Sequence, residues 1–267
     1  MPRIFEGMCS EDREAVEAFV RGRIILDHPV TLKIAMGSKC NQACTFCKSR
    51  QRDWKQEESV FADLAVRFAP KIRRLTLTGG EPLLYWKHFN NKMRQNNVDL
   101  SGIIISMITN GALLEDLADD LRNCRGLELF ISFNAATRET YQRVHGADDF
   151  EKVIRGIRAI QRVRSDRPTK IRMKMVYMRS TFREIKTYVE LAKDLQVDEV
   201  VFAHMTFFRQ AEAPPTEALQ LDDPEWPEVE QLLADASAEL TKHGIAFIAR
   251  RPGERRLDPQ DVLNVTG

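Results

Sequence analysis

A chain of 267 residues, 43% hydrophobic and 30% charged, is long enough to bury one sizeable core and fits a single globular domain with short appendages. Forty basic side chains nearly cancel thirty-nine acidic ones, so a formal net charge of +1 argues against the strong basic field of a nucleic-acid or membrane-surface binder. No secretion signal opens the chain and no run approaches the ~18 apolar residues of a spanning helix, which makes a cytoplasmic protein the expectation.

In chain order, residues 1–29 read as an extension in which Ser10 caps a helix to about Val20, with Glu11 and Asp12 favourably placed against its dipole. Residues 30–208 alternate short apolar runs with helical patterns, the signature of βα units on a parallel sheet. Six strands are predicted: Val30 to Met36, Leu75 to Thr78, Ile103 to Thr109, Leu127 to Asn134, Ile171 to Met178 and Glu199 to His204. Between them a helix from Leu114 to Arg125 is expected to end at a Gly126 cap, and Thr181 with Glu184 reads as a capping box. The helix from Asp148 to Arg164 sets Val153, Ile154, Ile157 and Ile160 against Arg155, Arg158 and Arg162, read as a solvated basic stripe. Residues 209–267 read as a linker with Pro214 and Pro215, then a helix with Asp223 as N-cap and Gly244 past its end, then a short strand from Ile245 to Ala249. The expected fold is α/β, a partial six-stranded (β/α) barrel with an N-terminal helical extension and a C-terminal αβ extension.

Residues out of place in a plain core fall at the C-terminal ends of the predicted strands, the edge where barrels and open α/β sheets build their sites. Cys40, Cys44 and Cys47 follow the first strand, Gly79-Gly80-Glu81-Pro82 the second and Asn110-Gly111 the third, while Ser132 and Asn134 close the fourth and His204 the sixth. Three of the five cysteines lie within eight residues, a clustering that points to metal or redox chemistry rather than a disulfide framework. Thiolates are the usual ligands of iron–sulfur clusters. Three ligands for four irons leave one iron open to a cofactor or substrate. The alternative is a zinc site completed by His204 or another residue, although structural zinc usually takes paired knuckles and no second pair is present.

Cys40-Asn41-Gln42-Ala43-Cys44-Thr45-Phe46-Cys47 resembles the signature of the radical S-adenosylmethionine superfamily, and the resemblance spans roughly Thr31 to His204. It is closest to members that carry SPASM or Twitch extensions, yet no cysteine-rich segment follows Cys124. The resemblance implies one four-iron four-sulfur cluster on Cys40, Cys44 and Cys47, with S-adenosylmethionine chelating the open iron. An electron then splits the cofactor to give a 5′-deoxyadenosyl radical that takes hydrogen from a small-molecule or peptide substrate. A low-potential donor such as flavodoxin or ferredoxin is the implied redox partner. The alternative class is a non-catalytic iron–sulfur or zinc protein that binds a partner, against which the amino-acid recognition loop argues.

The same resemblance places Gly79, Gly80 and Glu81 at the cofactor's amino group, Phe46 near its adenine, and Thr109, Asn110, Ser132 and Asn134 among its remaining contacts. Locally, glycines allow close backbone approach and Pro82 favours an extended Glu81, leaving its carboxylate to meet an ammonium. Relatives often have Asp where Asn134 stands, so the charge is lost there while a hydrogen-bonding group is kept. Lys174 and His204, on the last two strands, are the candidate substrate residues. The catalytic residues stay unknown from the sequence.

Overall fold

The computed structural model describes residues 31–47, 58–122, 124, 126–164, 168–205 and 215–253. The expected helix from Ser10, Cys9 and most of the linker lie outside them. One sheet carries seven strands in chain order, all parallel: β1 (Thr31–Ala35), β2 (Arg74–Thr78), β3 (Ile104–Thr109), β4 (Gly126–Ser132), β5 (Thr169–Tyr177), β6 (Glu199–His204) and β7 (Ala246–Arg250). Parallel neighbours need crossovers. These contain α1 (Glu58–Phe68), α2 (Trp86–Gln95), α3 (Leu114–Leu121), α4 (Arg138–His145) with α5 (Phe150–Val163), α6 (Ile185–Asp194) and α7 (Trp226–Lys242) in turn. The expected C-terminal αβ extension is therefore a seventh βα unit on the same sheet, with β7 registered against β6 from Glu199↔Ala246 to Ala203↔Arg250.

Alternation along each strand divides the sheet into two faces. In β5, Ile171, Met173, Met175 and Tyr177 are buried while Lys170, Arg172, Lys174 and Val176 are half-buried. The first set joins Leu75, Leu77, Ile105, Met107, Leu129, Ile131, Val200 and Phe202 under the helices, in one continuous apolar core. Burying side chains of this size contributes about 1.5–3 kcal/mol each. Phe133 anchors an aromatic cluster there, with ring centroids 5.2 Å from Tyr141, 5.1 Å from Phe150 and 6.4 Å from Tyr188.

On the opposite, inner face the N-terminal half of the sheet is crossed by ion pairs. Arg172 meets Glu199 at 3.1 Å and Glu128 at 3.7 Å, Lys170 meets Glu199 at 2.7 Å, and Arg74 pairs with Glu128. The Arg172 guanidinium also lies 4.3 Å over the Phe130 ring. This charged layer forms a floor below the C-terminal edge.

Several local expectations are corrected. Helix α3 stops at Leu121, and Gly126 opens β4, where a Cβ would lie 2.7 Å from the Pro168 carbonyl oxygen; Gly126 serves strand packing and not a helix cap. Glu184 does not close a capping box. Its carboxylate accepts from Ala136 N at 2.6 Å and Thr137 Oγ1 at 3.2 Å, while Thr181 Oγ1 accepts from Met178 N, so a tertiary bond to the loop after β4 displaces the local one. Helix α7 begins at Trp226 because Asp223 is engaged by Gln220 N and Arg179 in the preceding turn. The basic stripe of α5 is part ion-paired, Arg155 with Glu115 and Arg158 with Asp194, both pairs exposed.

Candidate active site

The cysteine loop leaves β1 at the C-terminal edge of the sheet and is clamped from two sides. On one side, Gly80 N donates to Gly37 O at 2.7 Å and Glu81 N to Lys39 O at 2.9 Å. A Cβ on Gly79 would lie 2.5 Å from Gly37 O, and one on Gly80 2.2 Å from Lys39 O. The glycine pair thus lets backbone meet backbone, and both glycines also line the cavity beside the cysteines. Gly79 also adopts a φ of +131°, which side-chain-bearing residues avoid.

On the other side the loop docks on the C-terminus of α4. Ala43 N donates to His145 O at 2.9 Å and Thr45 N to Val144 O at 3.0 Å, satisfying carbonyls that a helix end leaves without intrahelical partners. Gly146, at φ +61°, ends the helix directly against Ala43. Cys40, Cys44 and Cys47 line one cavity of about 420 Å³, bordered also by Asn41, Gln42, Gly79, Gly80 and Gly146. Cys40 is exposed at the rim, and Cys44 and Cys47 are half-buried. Among the described residues, no three His, Cys, Asp or Glu side chains converge tightly enough to hold a single metal ion. The donor set, the three thiols around one cavity and the glycine wall fit a thiolate-bound cluster with room for a small cofactor.

Glu81 is 1% exposed, and its carboxylate accepts three hydrogen bonds: from Leu83 N at 3.0 Å and Thr109 Oγ1 at 2.7 Å on Oε1, and from Asn110 N at 2.7 Å on Oε2. Burial pushes its pKa up, against those three bonds. A carboxylate offers about four acceptor positions, so one on Oε2 remains. Thr109 also accepts from Gly111 N, and Asn110 ties the edge together through Nδ2 to Asn41 Oδ1 at 2.7 Å and Cys40 Sγ at 3.7 Å.

Ser132 ends β4 on the inner face, in register with Lys174, which is itself in register with Val201. His204 has the opposite parity and lies on the helix-facing side with Val200 and Phe202, so the two candidate substrate residues do not share a face. Asn134 does not point into the lumen either. The strand has ended at Ser132, and the buried amide instead accepts from Val176 N at 2.8 Å and approaches His145 Nε2 at 3.3 Å. Phe46 packs with Val176 against Val144, Met178, Met205 and Ala218.

The sequence reading missed a buried layer directly behind the cysteine loop. His145 is fully buried, stacked on Tyr141 at 4.0 Å, with Nδ1 2.9 Å from Gln42 Oε1 and 3.4 Å from Cys44 Sγ. Gln42 Nε2 donates to Tyr141 Oη at 2.8 Å and to the Asp149 carboxylate at 3.3 Å. Burial keeps the imidazole neutral, pushing its pKa down to about 3, with Asp149 opposing. The available signal was helical spacing: Tyr141, Val144 and His145 occupy one buried stripe of α4 that ends on a left-handed glycine.

Thiols gather at the C-terminal edge of an unclosed parallel barrel, beside a cavity and a buried carboxylate, the edge at which such sheets carry their sites. The chain belongs to the Radical SAM superfamily, whose sequence model matches residues 34–192 and whose members use a four-iron four-sulfur cluster and S-adenosylmethionine. It is 30% identical over 175 residues to a probable GTP 3′,8-cyclase of Saccharolobus islandicus, covering 63% of this chain and 54% of that protein. The counterpart from Metallosphaera sedula is 29% identical over 177 residues, covering 63% and 53%. The chain thus spans about half the length of the curated relatives it matches. In fold it is similar to Streptococcus suis SuiB bound to S-adenosylmethionine, with a TM-score of 0.64 and 15% identity over 90% of this chain and 55% of that one. It is also similar to anSMEcpe with bound AdoMet and the Cp18Cys peptide, with a TM-score of 0.64 and 19% identity over 83% and 63%.

Proposed function

We propose that this chain reductively cleaves S-adenosylmethionine and directs the resulting radical to a small-molecule or peptide substrate bound over the inner face of the sheet. The observation that carries the reading is the single cavity shared by Cys40, Cys44 and Cys47 and walled by Gly79-Gly80, the residues that lead into the buried Glu81. A cluster held there would supply the electron needed to split the carbon–sulfur bond of S-adenosylmethionine. The three thiolates hold the cluster. Glu81 offers the remaining acceptor position on Oε2 to the cofactor's ammonium, and Thr109 and Asn110 keep that carboxylate in place. Ser132, expected among the cofactor's contacts, and Lys174, the candidate substrate residue, stand in register on the inner face, above a floor of ion pairs. The electron comes from a low-potential donor of the flavodoxin or ferredoxin type. Peptide substrates accord with the solved structure of SuiB bound to its precursor peptide SuiA, and nucleotide substrates with the curated relatives.

Anaerobically reconstituted protein should carry close to four irons per chain and release 5′-deoxyadenosine when dithionite and S-adenosylmethionine are added. Cys40→Ala, Cys44→Ala and Cys47→Ala should each abolish the cluster, whereas Cys124→Ala, buried in the helix-facing core, should keep its iron. Stoichiometric zinc without sulfide would sink the reading. Iron without any 5′-deoxyadenosine would favour a non-catalytic iron–sulfur protein.

A further inference from the structure

The hydrogen positions around His145 are fixed by its neighbours. Asn134 N is a backbone donor aimed at Nε2 from 3.1 Å, which requires Nε2 to accept. Asn134 Oδ1 accepts from Val176 N, so its Nδ2 faces the same imidazole nitrogen and demands the same. From the other side, the Asp149 carboxylate can only accept, which turns Gln42 Nε2 towards it and leaves Gln42 Oε1 facing His145 Nδ1 at 2.9 Å. The proton of the neutral ring is therefore on Nδ1. That N–H also stands 3.4 Å from Cys44 Sγ, and the ring is inaccessible to solvent.

We infer that His145 is a positioning residue that donates its Nδ1–H to the Cys44 thiolate of the bound cluster and so raises the cluster's reduction potential. The inference rests on Cys44 being a cluster ligand, as proposed above. Reduction places one further electron on the cluster and increases the negative charge on its sulfurs. A fixed donor on a buried ring stabilises that state more than the oxidised one, and hydrogen bonds to sulfur are among the determinants of iron–sulfur potentials. Gln42 shares the proton and, held by Tyr141 and Asp149, keeps the ring at its angle. Lys152, 2.8 Å from Asp149, completes the outer end of the chain.

The direct test uses the iron-loaded protein grown with 15N-histidine, reduced with dithionite without S-adenosylmethionine and examined by pulsed EPR. A weak 15N coupling to the reduced cluster is expected, and it should vanish in His145→Asn, which removes the labelled ring. The midpoint potential provides the second reading. His145→Phe should make reduction at least about tenfold less favourable, a shift of roughly 59 mV to more negative potential for one electron. His145→Asn keeps an N–H donor near the Nδ1 position and should stay within about threefold of the parent, on that same one-electron scale. An iron-loaded parent without 15N coupling overturns the inference even if His145→Phe fails to fold. So does a folded His145→Phe protein with unchanged potential, or equal shifts in both variants. A parent that binds no iron fails differently, overturning the cluster reading on which the inference depends.

Discussion

Gly80→Ala should lower the stability of the metal-free protein by on the order of 3 kcal/mol and strip it of most of its iron, because the new methyl has nowhere to go. Its Cβ would fall 2.2 Å from Lys39 O and 2.6 Å from Lys39 C and Ser38 O, all backbone atoms of the strand-to-cysteine turn. A flexible side chain could rotate away from such a contact; a peptide group held by Gly80 N→Gly37 O and Glu81 N→Lys39 O cannot move without breaking both bonds. Relief therefore requires the cysteine loop to swing outward, which separates Cys40 from Cys44 and Cys47. Urea denaturation with constant m-value measures the first effect, and iron analysis after reconstitution measures the second. Gly102→Ala is the matched control, since nothing lies within 4 Å of its added methyl, and it should be neutral or slightly stabilising. Equal behaviour of the two variants would refute the backbone clamp.

Glu81→Ala should act twice. Without ligand, it strands the N–H groups of Leu83 and Asn110 in a site that water does not reach, at a cost of about 2–4 kcal/mol after allowing for relief of a buried charge. Thr109 suffers less, because its hydroxyl can turn. In iron-loaded protein, loss of the carboxylate should weaken S-adenosylmethionine roughly tenfold to hundredfold, the range for a charge-assisted hydrogen bond of ~1.5–3 kcal/mol. Glu81→Gln retains an acceptor but turns an NH2 against Asn110 N or Leu83 N, so it should fall between the parent and alanine in stability. Denaturation and calorimetric titration separate the two effects. Full stability in Glu81→Ala would remove its structural role, and unchanged titration its role towards the cofactor.

The parts of this molecule legible in its sequence are those whose cause is local. Three cysteines within eight residues point to metal or redox chemistry before any fold is known, and period-two alternation in residues 169–177 marks a strand with one dry face. Reading failed where the cause sits far along the chain. Gly80 is small because of Lys39, Glu184 leaves its helix because of Ala136, and Asn134 turns away from the lumen because Val176 N and His145 hold it. Lys174 and His204 show the same limit. Each parity could be counted, but which parity faces inward depends on the register Lys174↔Val201, set by hydrogen bonding between strands and not by either segment alone. His145 was invisible for a similar reason. Its sequence neighbours describe a helix end, and only the docked loop brings Cys44 to it.

The two-faced sheet also has a consequence for how such a protein can change over generations. Along β5, consecutive codons answer to different demands: Met173 and Met175 are held by packing against helices, whereas Arg172 and Lys174 look onto a polar interior. Substitutions at the first pair tax stability and are tolerated only near constant volume, while substitutions at the second leave the helix-facing packing untouched. At Lys174 a lineage can thus alter the polar interior one residue away from the packed core, whereas Arg172 stays tied to Glu199, Glu128 and the Phe130 ring.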